Sequence, residues 1–75
     1  MLAVDMKATG ENMRNVMLMA GKTIRDLQDA CGLTTTNAIY KWFNGDNTPT
    51  LDNLVTVADT CGVAVDEILV IRERP

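Results

Sequence analysis

Histidine and serine are absent from the 75-residue chain, and cysteine occurs only at Cys31 and Cys61. Two thiols without histidine cannot supply the four sulfur and nitrogen ligands of a structural zinc site, and no metal or other cofactor is expected. The Ser-His and Cys-His pairs of nucleophilic catalysis are also missing, so no catalytic residue is assigned and an enzyme is the least favoured class. A single disulfide would be sparse for a small secreted scaffold, and buried reduced thiols are the plainer reading of both cysteines. No apolar run approaches the roughly 20 residues that span a bilayer. The opening Met1-Leu2-Ala3-Val4-Asp5 is too short an apolar stretch for a secretion signal, and an acid interrupts it. A cytoplasmic protein is expected, with no membrane partner and no small-molecule ligand.

Hydrophobic residues make up 47% of the chain and charged ones 23%, the balance of one small globular domain. The net charge is −3, and it is unevenly spread. Residues 7–45 carry Lys7, Arg14, Lys22, Arg25 and Lys41 against Glu11, Asp26 and Asp29, an excess of +2. Residues 46–75 carry Arg72 and Arg74 against six acids, an excess of −4. Any anion-binding face therefore belongs to the first 45 residues, and its nonspecific phosphate affinity should be weak and easily lost to salt.

Helical spacing recurs along the chain. Met13, Val16, Met17 and Ala20 form one apolar stripe, with Thr9 the expected cap and Gly21 the stop. Met13, Met17 and Met19 are expected to fill core space. Thr23 caps a second helix with Ile24, Leu27 and Cys31 inward; Gly32 and Leu33 end it in a Schellman-type turn. Thr34-Thr35-Thr36-Asn37 opens a third, holding Ile39, Trp42 and Phe43, and Asn44-Gly45-Asp46-Asn47 closes it. Thr50 caps a fourth with Leu51, Leu54, Ala58 and Cys61 inward. A short fifth is expected around Asp66 and Glu67, burying Val65, Ile68 and Leu69. The expected fold is all-α, five short helices around one core. Leu2, Val4 and Met6 alternate at period two, and Leu69-Val70-Ile71 is a β-branched run, so short extended arms at the two termini can pair with each other. The expected division is an N-terminal arm over 1–8, a domain over 9–70 and a tail over 71–75.

Two short capped helices joined through Gly32 and a polar turn form a helix-turn-helix. Gly21-Lys22-Thr23, Leu27, Gly32, Ile39, Trp42, Gly45, Pro49, Leu54, Ala58, Val63 and Asp66-Glu67-Ile68-Leu69 together resemble the Cro/C1-type (XRE-like) helix-turn-helix family of small bacterial and phage regulators. The resemblance runs from about residue 10 to residue 70. It implies a lambda-repressor-like domain whose third helix enters the major groove of double-stranded DNA, in a transcriptional repressor acting as a homodimer. Counted from Ile39, the base-reading positions are Thr36, Asn37, Tyr40 and Lys41. Asn suits adenine N6 and N7, Lys suits guanine O6 and N7, and Thr offers a hydroxyl and a methyl. Phosphate contacts are implied for Thr23, Arg25, Thr35, Asn44 and Gly45. The alternative is a protein-interaction module or antitoxin-like partner that keeps the fold with weak or lost DNA binding.

Several positions depart from the family pattern. One extra residue separates Gly32 from Ile39, so either the turn is longer or the helix starts earlier. Ile24 stands where a DNA-contacting Gln is common, Asp46 where a phosphate-binding Lys is common, and Ala64 where a Ser or Thr caps the last helix. Met17 and Phe43 replace an Arg and a Glu that commonly pair. Losing both charges together avoids two desolvation penalties, and the two apolar side chains are expected to touch.

Overall fold

Asp5 opens the first helix, four residues ahead of the expected cap at Thr9. The computed structural model describes residues 1–74; Pro75, the end of the expected tail, lies outside the described residues. Helix α1 runs over Met6–Met19, and the Asp5 carboxylate accepts from the Ala8 N–H at 3.0 Å. Asp and Thr are both good caps, so local chemistry does not choose between the two positions. The choice is made by a residue far along the chain. Thr9 is buried, and its hydroxyl accepts the Val70 N–H at 2.9 Å, which takes it out of use as a helix cap.

Helices α2 (Ile24–Cys31), α3 (Asn37–Asn44) and α4 (Leu51–Cys61) follow as the spacing predicts. Each ends on a left-handed glycine, Gly32, Gly45 and Gly62, where a side chain would be strained. The amide two places beyond each helix's last residue closes the Schellman turn, from Leu33 to the Gln28 carbonyl, Asp46 to Lys41 and Val63 to Ala58.

The expected fifth helix is a single 3₁₀ turn, Val65–Glu67, so the described residues form four α-helices, that turn and two short strands. Ala64 has no side-chain acceptor for the turn's free amides. Only half of a capping box forms, with the Glu67 carboxylate accepting the Ala64 N–H at 2.6 Å. Beyond it the chain is drawn onto α1. The Asn12 amide donates to the carbonyls of Glu67 and Ile68 at 2.6 and 3.0 Å, and Thr9 holds Val70.

The termini do pair. Strands β1 (Leu2–Val4) and β2 (Ile71–Glu73) run antiparallel with Val4 opposite Ile71 and Leu2 opposite Glu73. The Asp5 N–H donates to the Val70 carbonyl at 2.8 Å and the Arg74 N–H to the Met1 carbonyl at 2.7 Å. By the antiparallel alternation, Ala3 and Arg72 are then a hydrogen-bonded pair, while Val4 and Ile71 are not.

The core joins Met13, Met17, Leu27, Ile39, Trp42, Phe43, Leu54, Val57, Ala58, Cys61 and Ile68. Three sequence expectations fail at its edges. Met19 is 87% exposed at the end of α1, and Leu51 is 75% exposed on the outer side of α4, where Val57 takes the inward place. Ala20 is exposed as the C-cap of α1. Met17 and Phe43 are both buried in the shared core, yet the Phe43 backbone lies against Gly10, two turns of α1 before Met17. At Gly10 a Cβ would sit 2.7 Å from the Phe43 carbonyl oxygen and closer still to that of Trp42. Only hydrogen fits there, so α1 and α3 meet backbone to backbone.

Two measurements follow from this geometry. Gly10→Ala should destabilise the fold by about 3 kcal/mol in urea unfolding, at the upper end of overpacking costs. Gly62→Ala, where a Cβ meets nothing within 4 Å, should lose only about 1–2 kcal/mol through its positive φ. Equal losses would contradict the close approach. In amide exchange, Asp5 and Val70 should be protected and Val4 should not; a protected Val4 would require another register.

Candidate nucleic-acid interface

The eight residues of α3 divide cleanly by helical angle. Ile39, Trp42 and Phe43 fall on one side and are 0%, 5% and 7% exposed, with the half-buried Ala38 packed beside them. Asn37, Tyr40, Lys41 and Asn44 fall on the other, and all four are exposed, Tyr40 by 50%. The outward face of the second helix of the pair therefore carries two amides, a phenol and an ammonium. Trp42 is a core wedge, not a surface stacker.

The residues before α3 absorb the extra position of the turn. Thr34 and Thr35 are exposed, and the helix begins at Asn37, so the turn is longer and the helix does not start early. Thr35 Oγ1 accepts the Asn37 N–H at 3.3 Å. Thr36 occupies the N-cap position in a right-handed helical conformation, makes no side-chain cap bond, and is half-buried. Of the four expected base-reading residues, Asn37, Tyr40 and Lys41 share the exposed face; Thr36 sits at its foot with its hydroxyl uncommitted as a cap.

At the start of α2 the geometry is less open to an anion. The Thr23 hydroxyl accepts the Asp26 N–H at 3.1 Å, and the Asp26 carboxylate accepts the Thr23 N–H at 2.8 Å. This capping box puts a fixed negative charge on the positive end of the helix. The Thr23 backbone N–H, joined by its hydroxyl and the nearby Lys22 charge, holds the Asp26 carboxyl below the usual aspartate value. Arg25 is exposed and free to reach outward, whereas Ile24 is half-buried against the core. At the far end of α3, Gly45 has φ +79° and lies against Lys7, whose Cα would be 2.8 Å from an added Cβ. Asn44 and Asp46 are exposed on either side of it.

Other chemistry is sparse. Cys31 and Cys61 are free, and burial pushes both thiols up from their ordinary range, away from the reactive thiolate. Among the described residues no cluster of three His, Cys, Asp or Glu side chains is placed to hold a metal ion. No helix is long and apolar enough to cross a membrane.

Sequence reasoning missed two parts of this region. Gly10 went unread although a glycine inside a helical pattern is a signal of close packing. Lys7, Glu11, Arg14 and Asn15 of α1 also line an open groove beside Tyr40 and Asn44, and no motif marks that neighbourhood.

A family model described as Helix-turn-helix matches residues 13–68, three quarters of the chain. The chain belongs to the Cro/C1-type helix-turn-helix family. The match covers α2, α3 and α4 with the C-terminal half of α1; both strands and Lys7 fall outside it. Among solved structures, the restriction-modification controller protein C.AhdI from Aeromonas hydrophila is similar at a TM-score of 0.75 and 19% identity. That similarity covers 85% of this chain and 96% of the controller. The clp gene regulator ClgR from C. glutamicum is similar at 0.72 and 21%, over 83% of this chain and 79% of that one. At these identities the likeness is one of fold. No curated protein matches the sequence.

The Asp26 cap makes a pH prediction. A carboxyl whose folded pKa is depressed adds stability that is fully present above its unfolded value, about pH 4, and is lost as pH falls through the lower folded one. The stability gap between the native chain and Asp26→Ala should therefore be largest near neutrality and close as the solution is acidified below about pH 4. A gap that stays constant from pH 7 down to about pH 2 would show that the carboxylate charge plays no part in the cap.

Proposed function

We propose that this helix-turn-helix protein is a sequence-specific DNA-binding transcriptional regulator acting as a repressor, with α3 inserted in the major groove. The observation that carries the reading is the outward face of α3, where Asn37, Tyr40 and Lys41 project unburied opposite a core anchored by Ile39, Trp42 and Phe43. These groups, with Thr36 at the helix start, read base edges; the amide and the ammonium match adenine and guanine in the major groove. Arg25, Thr35 and Asn44 hold phosphates on either side, and Thr23 adds only its hydroxyl proton, because Asp26 takes its N–H. Gly45 serves by keeping the turn tight against Lys7, where no side chain fits; its own N–H is already given to the Trp42 carbonyl at 3.2 Å.

One short helix makes few base contacts. A homodimer on a two-fold symmetric site doubles them, and this is the assembly proposed. Membership of a family of DNA-binding regulators supports the reading, as does the excess of cations in residues 7–45.

A second reading has specific support. Asp26 occupies the α2 N-terminus, Asp46 flanks the α3 turn, and the chain carries −3 overall, all of which suit a protein-interaction module with weakened DNA affinity. A gel-shift titration of the chain on duplexes selected from its native genome separates the two. The regulator reading predicts retarded complexes that weaken steeply with salt, and a loss of about 1–3 kcal/mol of discrimination in each of Asn37→Ala and Lys41→Ala. Failure to enrich any duplex, or specific binding untouched by both substitutions, would overturn the groove assignment.

A further inference from the structure

The family pattern leaves this chain short of a cation near the DNA backbone, with the exposed Asp46 in the turn after α3. Two other cations stand close by. Lys7 is exposed in the first turn of α1, and its backbone packs directly on Gly45, one residue before Asp46. Arg14 is exposed two turns further along the same face of α1, three residues before Met17. Together with Asn15 they face Tyr40 and Asn44 across an open groove of about 750 Å³ that runs beside the exposed face of α3. Among the described residues the ion pairs are Met1–Glu73 and Asp5–Arg72, so neither Lys7 nor Arg14 is in a direct ion pair with a carboxylate.

We infer that Lys7 and Arg14 form a phosphate-binding strip on α1, which grips the DNA backbone alongside α3 and replaces the cation missing at position 46. The inference rests on the DNA-binding reading above and adds to it a surface that begins outside the family match. Long flexible side chains suit the task, because a backbone contact requires charge within reach and no fixed hydrogen-bond geometry. The strip contains one opposing group. Glu11 lies between the two cations on the same groove and repels a phosphate placed there.

The experiment is a salt-dependent binding titration of the full chain on its selected duplex and on a scrambled duplex of equal length. Lys7→Ala and Arg14→Ala should each weaken binding about three- to tenfold at moderate salt, equally on both duplexes, and lower the slope of log affinity against log salt by about 1. Lys7→Arg should restore the slope, and Glu11→Gln should tighten binding on both duplexes. Circular dichroism should show the four variants folded, as expected for exposed side chains.

The inference is overturned if Lys7→Ala and Arg14→Ala leave affinity and slope unchanged while Asn37→Ala still weakens the selected duplex; the regulator reading then stands without it. It is also overturned if the loss is confined to the selected sequence, which would make these residues readers of bases. If the native chain binds neither duplex, the regulator reading fails and the strip fails with it.

Discussion

Helix α3 owes its position to the absence of one methyl group. At Gly10 the backbones of α1 and α3 meet so closely that only a hydrogen atom separates them from the carbonyls of Trp42 and Phe43. That contact pins the C-terminal half of α3, and the fully buried Ile39 holds its first half in the core. With its inner side held at both places, the helix has no rotational freedom about its own axis. Asn37, Tyr40, Lys41 and Asn44 must then point to solvent as one face. A second close approach, Gly45 on Lys7, anchors the turn that follows and sets α1's first cation at the end of that face. The geometry of the interface is thus a consequence of packing between the first and third helices, more than of the turn that names the motif.

The same anchoring explains why the termini are ordered in so small a protein. The chain returns to α1 through Asn12, Thr9 and Asp5, each contacting a different part of residues 67–72, and the two strands close over the start of the helix. A single 3₁₀ turn suffices where a fifth helix was expected: its own backbone bonds end with the Leu69 N–H on the Val65 carbonyl, and α1 supplies the rest through Asn12 and Thr9. Ile68 still fills the core place that such a helix would have supplied.

Much of this was legible in the residues. The glycine stops at Gly32 and Gly45, the caps at Thr23 and Thr50, and the division of α3 into core and surface all follow from local rules, and all are found. The failures share a physical cause, dependence on distant partners. Thr9 reads as a cap until Val70 claims its hydroxyl; Leu51 reads as core until no element covers it. Met19 is apolar and helically spaced, yet it falls beyond the last element that packs on α1. The candidate site was legible to the same extent. Its face came from the family resemblance, counted from Ile39, whereas the groove cations on α1 depend on the helix crossing at Gly10, which no spacing rule encodes.

The charge distribution sets the character of the interface. Asp26 and Asp46 stand at its two ends, and the outer side of α4 carries exposed Asp52 and Asp59. On the proposed reading, a chain so arranged has little general attraction for DNA and depends on a correctly seated α3. The most direct test is a backbone-amide chemical-shift titration with a selected duplex. The account predicts that the largest changes fall in Asn37–Asn44 and the turn through Gly45, while Asp52, Val55 and Asp59 on α4 stay silent. Changes concentrated on α4, with α3 undisturbed, would contradict it.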